Sequence, residues 1–205
     1  MKKWNLVIDV AKCFNCNCCT LACHDEYFDN EFPGYASGMP KHGQNWIRIE
    51  QRETGTVPMV EVSYLPTTCN HCDNPPCLAA ARDGAVVKRD DGIVIIVPEK
   101  ARGQRQIVDA CPYGAVHWNE ERQLPQAWPF DAHLIDKGWK RTRGAQSCPT
   151  RAMRVLHVED DEMKRIVAEE GLEVLHPEYG TAPRVYYRNL KRFRSLFIGG
   201  SVAGE

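Results

Sequence analysis

No stretch of this sequence is apolar over the roughly 18–20 residues that a bilayer-spanning helix requires, so no membrane insertion is expected. A surplus of charge is missing as well. The 26 Lys and Arg residues are offset by 27 Asp and Glu, and a net charge of −1 creates no field toward nucleic acid or anionic lipid. The N-terminus lacks both an apolar signal core and a twin arginine, since Met1-Lys2-Lys3-Trp4 leads straight into Asn5-Leu6-Val7-Ile8-Asp9. It does not read as a signal peptide, and the cytoplasm is the expected compartment. A nucleophile, general base or substrate-binding motif is also absent, so catalysis is expected elsewhere. Hydrophobic residues, at 43 %, are at the ordinary globular level, and 205 residues suffice for one or two compact domains.

What the sequence has in excess is cysteine, ten in all. A disulfide framework needs an oxidising compartment, and without a signal the thiols read as metal ligands instead. The strongest local pattern is Cys13-x2-Cys16-x2-Cys19-x3-Cys23. Two-residue gaps let a tight loop place three thiolates on three corners of an iron–sulfur cube, while the fourth thiol starts a helix and points elsewhere. Zinc is the alternative metal, but its sites use two separated pairs rather than four thiols in one run. A second group is Cys69-x2-Cys72-x4-Cys77, and two single cysteines, Cys111 and Cys148, each precede a proline. A Cys-Pro ending marks the fourth ligand of bacterial ferredoxins, which serves the other cluster.

The chain also repeats itself. Moving Cys13, Cys16, Cys19 and Cys23 forward by 88 positions lands on Ala101, Gln104, Ile107 and Cys111, with Ile8 on Ile96 and Lys12 on Lys100. Moving Cys69 and Cys72 by 59 lands on Trp128 and Asp131, and the gap from Cys77 to Ala81 equals that from Gly144 to Cys148. This is a degenerate four-motif array, with motifs at 13–23, 69–81, 101–111 and 128–148. If each motif held its own cluster, Cys111 and Cys148 would have no role. If the first pairs with the fourth and the second with the third, two complete sets result: Cys13, Cys16, Cys19, Cys148 and Cys69, Cys72, Cys77, Cys111. Two [4Fe–4S] clusters on these eight iron ligands are therefore expected. Cys18 reads as a bystander that could stand in for Cys19. Cys23 reads as a buried free thiol, with an incomplete third cluster on Cys23 and Asp131 as the alternative. His24, His71 and His133 read as packed rings or donors behind the ligands.

Short strands are expected at Leu6–Val10, Trp46–Glu50, Val60–Tyr64 and Ile93–Val97, and helices around Thr20–Tyr27 and Glu99–Ala110. This βα alternation predicts an α+β fold of tandem bacterial ferredoxin-like units over residues 1–155, with an inserted loop at 24–45. Residues 156–205 are expected to add a helix, Glu159–Glu170, with Met163, Ile166 and Val167 on one face. An extended C-terminal tail from Pro177 follows, including the basic–aromatic run Arg184–Phe197 and a docking strand over Phe197–Glu205. That run is expected to pack on the body or on a partner and not on nucleic acid.

Beyond the cysteines stand Val7-Ile8-Asp9-Val10-Ala11-Lys12-Cys13, Phe32-Pro33-Gly34-Tyr35, Asp91-Gly92-Ile93-Val94, Ala110-Cys111-Pro112-Tyr113-Gly114, Ala132-His133-Leu134, Glu170-Gly171-Leu172-Glu173-Val174 and Pro183-Arg184-Val185-Tyr186-Tyr187. With them the array resembles the iron–sulfur subunits of the dimethyl sulfoxide reductase family of molybdopterin enzymes. Within it, the likeness is greatest to the small subunits of pyrogallol–phloroglucinol transhydroxylase and the resorcinol hydroxylases. The resemblance implies the same nested ligand pairing. It also implies a large catalytic partner carrying molybdenum or tungsten on bis-molybdopterin guanine dinucleotide, which acts on a polyphenolic ring, and a downstream electron-acceptor protein. The transhydroxylase subunit has three clusters, and here Trp128, Asp131 and Gly144 stand where ligands of one of them would be. The expected function is electron transfer. The other readings are a stand-alone ferredoxin-like carrier, or a subunit whose clusters only stabilise its fold.

Overall fold

The computed structural model describes residues 1–194. In chain order, β1 (Lys3–Asp9) and a 3-10 turn (Val10–Lys12) lead to α1 (Cys18–Tyr27). A hairpin of β2 (Arg48–Thr56) and β3 (Met59–Thr67) precedes α2 (Pro76–Ala80). Next come β4 (Val86–Lys88), β5 (Val94–Ile96), α3 (Pro98–Ala101) and α4 (Gln106–Asp109). They are followed by β6 (His117–Asn119), β7 (Leu124–Gln126), α5 (Ala132–Ile135) and α6 (Arg143–Ser147). The described chain closes with β8 (Met153–Val158), α7 (Asp160–Glu170), a 3-10 turn (Pro177–Tyr179), β9 (Val185–Arg188) and α8 (Lys191–Arg194).

Trp4 to Ile8 are all buried, so β1 must be covered on both faces and on both edges. It sits at the centre of a three-stranded sheet, antiparallel to β8 (Lys3↔Val158 to Ile8↔Met153) and parallel to β9 (Leu6↔Val185 to Asp9↔Arg188). The main core lies beside it and includes Leu6, Ile8, Tyr27, Trp46, Trp128, Phe130, Val185 and Tyr187. A second, smaller core gathers Ala85, Val86, Val94, Ile96, Ala101, Ile107 and Val116.

Several expectations are corrected here. The helix expected over Glu99–Ala110 is two, because Gly103 adopts φ +73 between α3 and α4 and breaks the ladder. The strands around Trp46–Glu50 and Val60–Tyr64 belong to one longer hairpin, paired from Arg48↔Thr67 to Thr56↔Met59. Its outer half is exposed, Val57, Met59, Val60 and Val62 included, so backbone pairing rather than burial defines it. The helix expected around Thr20–Tyr27 is α1, which begins at Cys18 and leaves the inserted loop to start after Tyr27. The tail residues Val185 and Tyr187 are fully buried in the central sheet. Helix α7 does present Met163, Ile166 and Val167 to one small cluster with Val7 and Leu172. The expected strand Phe197–Glu205 lies outside the described residues. Among the described residues, no helix is long and apolar enough to cross a membrane.

Candidate metal centre

The first ligand loop leaves the central sheet at Asp9, whose carboxylate accepts the Ala11 N–H at 3.1 Å and caps the turn. Asn15 (φ 60) and Asn17 (φ 58) occupy the left-handed region and fold the chain back before α1 begins. Cys148 comes from far away, at the end of α6, where Pro149 cannot continue the helix. The register of β1 with β8 brings the two turns together, and Asp9 donates its N–H to the Ala152 carbonyl at 2.8 Å. Thiols of Cys13, Cys16, Cys19 and Cys148 thus become electrostatic neighbours. Burial and then the nearby Cys148 and Cys16 raise Cys13. Burial, with Cys13 and Cys148, pushes Cys19 up to about 11. Burial also raises Cys148, but hydrogen bonds from Thr150, Met153 and Ala152 outweigh it, the Ala152 N–H lying 3.2 Å from the sulfur.

The second set assembles from the loop before α2, from α2 itself and from the turn after α4. His71 (φ 45) bends the loop between Cys69 and Cys72, and Pro76 starts the helix that carries Cys77. Cys111 closes α4, its N–H bonded to the Val108 carbonyl at 3.2 Å. Burial, then Cys77, Cys111 and Cys72, raise Cys69 well above the usual thiol value. Burial, then Cys111 and Cys72, push Cys77 up to about 12. Cys72 is raised by burial and Cys111 against a hydrogen bond with Thr181.

All ten cysteines are free thiols. Among the described residues, no three His, Cys, Asp or Glu side chains converge closely enough for a single metal ion. A four-iron cube asks for a wider set, because each thiolate takes its own corner iron. Both sets also turn backbone N–H groups of Asn15, Thr20, Ala152, His71 and Leu78 toward sulfur, the donors that stabilise a buried thiolate. The residues present fit such a group.

Comparison with known proteins agrees with this chemistry. Residues 60–158 match the 4Fe-4S dicluster domain. The pyrogallol hydroxytransferase small subunit of Pelobacter acidigallici is 46 % identical over 98 % of this chain and 74 % of its own length. A tetrathionate reductase subunit of Salmonella typhimurium is 32 % identical over 92 % of this chain and 73 % of its own. The beta subunit of dimethylsulfide dehydrogenase from Rhodovulum sulfidophilum is 39 % identical over 72 % of this chain but 46 % of its own. The chain belongs to the iron–sulfur subunits of the dimethyl sulfoxide reductase family.

In this iron–sulfur subunit, the positions where the repeat lacks cysteine are filled by other side chains. Ala101 and Ile107 are fully buried in the second core, with Ala81 packed against it. Gln104 bonds across the gap, accepting from Arg82 N–H at 2.9 Å and donating to the Lys100 carbonyl at 2.9 Å. The other set of such positions, with Trp128, Asp131 and Gly144, holds a buried carboxylate. Asp131 accepts the Tyr27 hydroxyl at 2.8 Å, the Trp128 indole N–H at 2.8 Å and the Arg143 N–H at 2.6 Å. Burial raises its carboxyl against these three bonds. A Cβ on Gly144 would lie 3.2 Å from Ile47 Cδ1 and 3.4 Å from Cys19 Cβ, so a side chain there would need Ile47 to shift.

Cys23 is buried, its thiol raised by burial and by Asp131, and both oxygens of that carboxylate already have protein donors. Cys18 opens α1 and hydrogen-bonds Cys16. His24 stacks on Phe28, and His133 bonds Glu26 at 2.8 Å while stacking on Phe32. His71 is held neutral, lowered to about 3 by burial and then by Lys88, and accepts the Val94 N–H at 3.1 Å. Sequence reasoning missed Arg184 and Asp73, which tie β9 to the second ligand loop. The one signal available was an aspartate directly after Cys72.

Proposed function

We propose that the chain holds two [4Fe–4S] clusters, one on Cys13, Cys16, Cys19 and Cys148, the other on Cys69, Cys72, Cys77 and Cys111. Through them it relays electrons for a large molybdopterin subunit that hydroxylates, dehydroxylates or transhydroxylates a polyphenolic ring. What supports this reading most is that the buried or half-buried thiols of each set, from segments far apart in sequence, act on one another electrostatically, while the other positions of the repeat hold packed or hydrogen-bonded side chains. The greater likeness to the pyrogallol enzyme's subunit than to the tetrathionate one supports the aromatic substrate class. Crosswise sharing supports tandem ferredoxin-like units over 1–155, with 156–194 closing the sheet.

When bound, each cluster supplies one reversible electron. The chain's own residues hold the thiolates, direct N–H dipoles at sulfur and exclude water, and these factors set the potential within a range of roughly −700 to +450 mV. Ten free thiols suit the reducing cytoplasm, which this reading assigns. A downstream protein is the natural acceptor. The test is metal and sulfide analysis joined to an EPR-monitored redox titration of the purified complex. About eight iron and eight sulfide per chain, reduced or oxidised when substrate is added, is the expected result. Bound zinc without sulfide would end the proposal, and redox-silent clusters would reduce them to structural staples.

A further inference from the structure

Asp131 is 1 % exposed and sits where the repeat places a cluster ligand. Its three partners, Tyr27 O–H, Trp128 N–H and Arg143 N–H, all donate. Burial raises this carboxyl, but an obligate N–H donor on each oxygen, from Trp128 and Arg143, together with the Tyr27 hydroxyl, favours the carboxylate over the neutral acid. No Lys, Arg or His among the described residues forms an ion pair with it. The guanidinium of Arg143 and the ring of His133 both pair with Glu26, and His133 acts on Asp131 only through space.

This anion acts on Cys23, which lies one helical turn beyond Cys19 on the same buried face. Cys19, Cys23 and Tyr27 follow one another at four-residue spacing along one buried face of α1, and Tyr27 ends at Asp131. From the other side, Arg143 bonds Asp131, and the next residue, Gly144, lies directly against Cys19. Toward the second set, the Trp128 indole that donates to Asp131 meets the His71 ring edge-to-face at 5.6 Å.

We infer that Asp131 acts as a fixed, buried negative charge that lowers the reduction potential of the cluster on Cys13, Cys16, Cys19 and Cys148, setting it apart from its neighbour. Adding an electron increases negative charge, and an unpaired anion in a poorly screened interior opposes that. The inference rests on the ligand assignment proposed above. Asp131 is a positioning residue and touches no reacting atom.

The test is an anaerobic EPR potentiometric titration of the native complex with Asp131→Asn, which keeps the shape and removes the charge. At a fixed potential, the reduced-to-oxidised ratio of one cluster should rise about tenfold, a midpoint shift of about 59 mV for a one-electron couple. The other cluster should move by less than half as much. Tyr27→Phe keeps the charge and deletes one donor, and its ratio should change less than twofold. An unmoved midpoint in Asp131→Asn at full iron content overturns the inference, as does an equal upward shift in Tyr27→Phe. If Asp131→Asn loses iron, Asp131→Ser carries the same expectation. Loss of iron in both variants would assign Asp131 to the fold alone and also overturn the idea. A wrong ligand assignment would show separately: Cys148→Ser and Cys111→Ser would then fail to halve the iron, whatever the Asp131 variants do.

Discussion

Arg184 grips Asp73 with two parallel hydrogen bonds, Nε to Oδ1 at 2.7 Å and Nη2 to Oδ2 at 2.5 Å. One residue directly precedes β9 of the central sheet and the other follows Cys72 in the loop before α2. The same guanidinium reaches Asn5 on β1 at 3.1 Å and Asp160 on α7 at 2.9 Å. Gly92 makes room for it, since a Cβ there would lie 2.9 Å from Arg184 Cδ.

Arg184→Ala should therefore loosen the ligand loop as well as the sheet. Arg184 is buried while Asp73 and Asp160 are partly solvated, so a loss of about 2–4 kcal/mol is expected. Anaerobic chemical denaturation would show a lower midpoint, together with faster loss of iron from one cluster. A variant as stable as the parent would show that the contact is dispensable.

The proposed crosswise ligation makes the two proline-flanked cysteines diagnostic. Cys148→Ser should leave about four iron per chain and abolish the EPR signal of one cluster, and Cys111→Ser should abolish the other. Iron and sulfide assays with EPR would check this. If either variant kept both signals, the pairing would have to be redrawn.

Two thiols should be dispensable. Cys18→Ser and Cys23→Ala are each expected to retain the full iron content and the charge-transfer absorbance near 400 nm. Cys18 lies beside Cys16, so a loss of iron in Cys18→Ser would make it a ligand in place of Cys19.

Ile107, which the sequence repeat aligns with Cys19, lies at the heart of the second core. Ile107→Ala should cost about 2–5 kcal/mol by removing packed methyl groups, without changing the iron content. Denaturation midpoints with parallel iron assays separate those two effects. Iron loss matched to the loss of stability would mean that this core also holds the ligands of the second set in place.

Much of the candidate centre was legible because cluster ligands obey local rules. Two-residue gaps, a Cys-Pro ending and a fixed offset between motifs are written in linear order, and so are the gaps left at Trp128, Asp131, Ala101 and Ile107. Those offsets said which ligands were missing but not what fills their places. Helix α7 was legible from its period, whereas the single helix expected over Glu99–Ala110 was wrong because one left-handed glycine outweighed the propensities around it.

By itself the sequence determined which thiols can share one loop, because spacing limits how far a short segment reaches. Only the tertiary structure decided that Cys148 comes beside Cys13, through the register of β1 with β8. It also decided that Val185–Arg188 pairs with β1 and that Tyr27, Trp128 and Arg143 converge on Asp131. The physical reason is that strand pairing and buried hydrogen bonds join residues more than a hundred positions apart, and their selection depends on how the whole core closes.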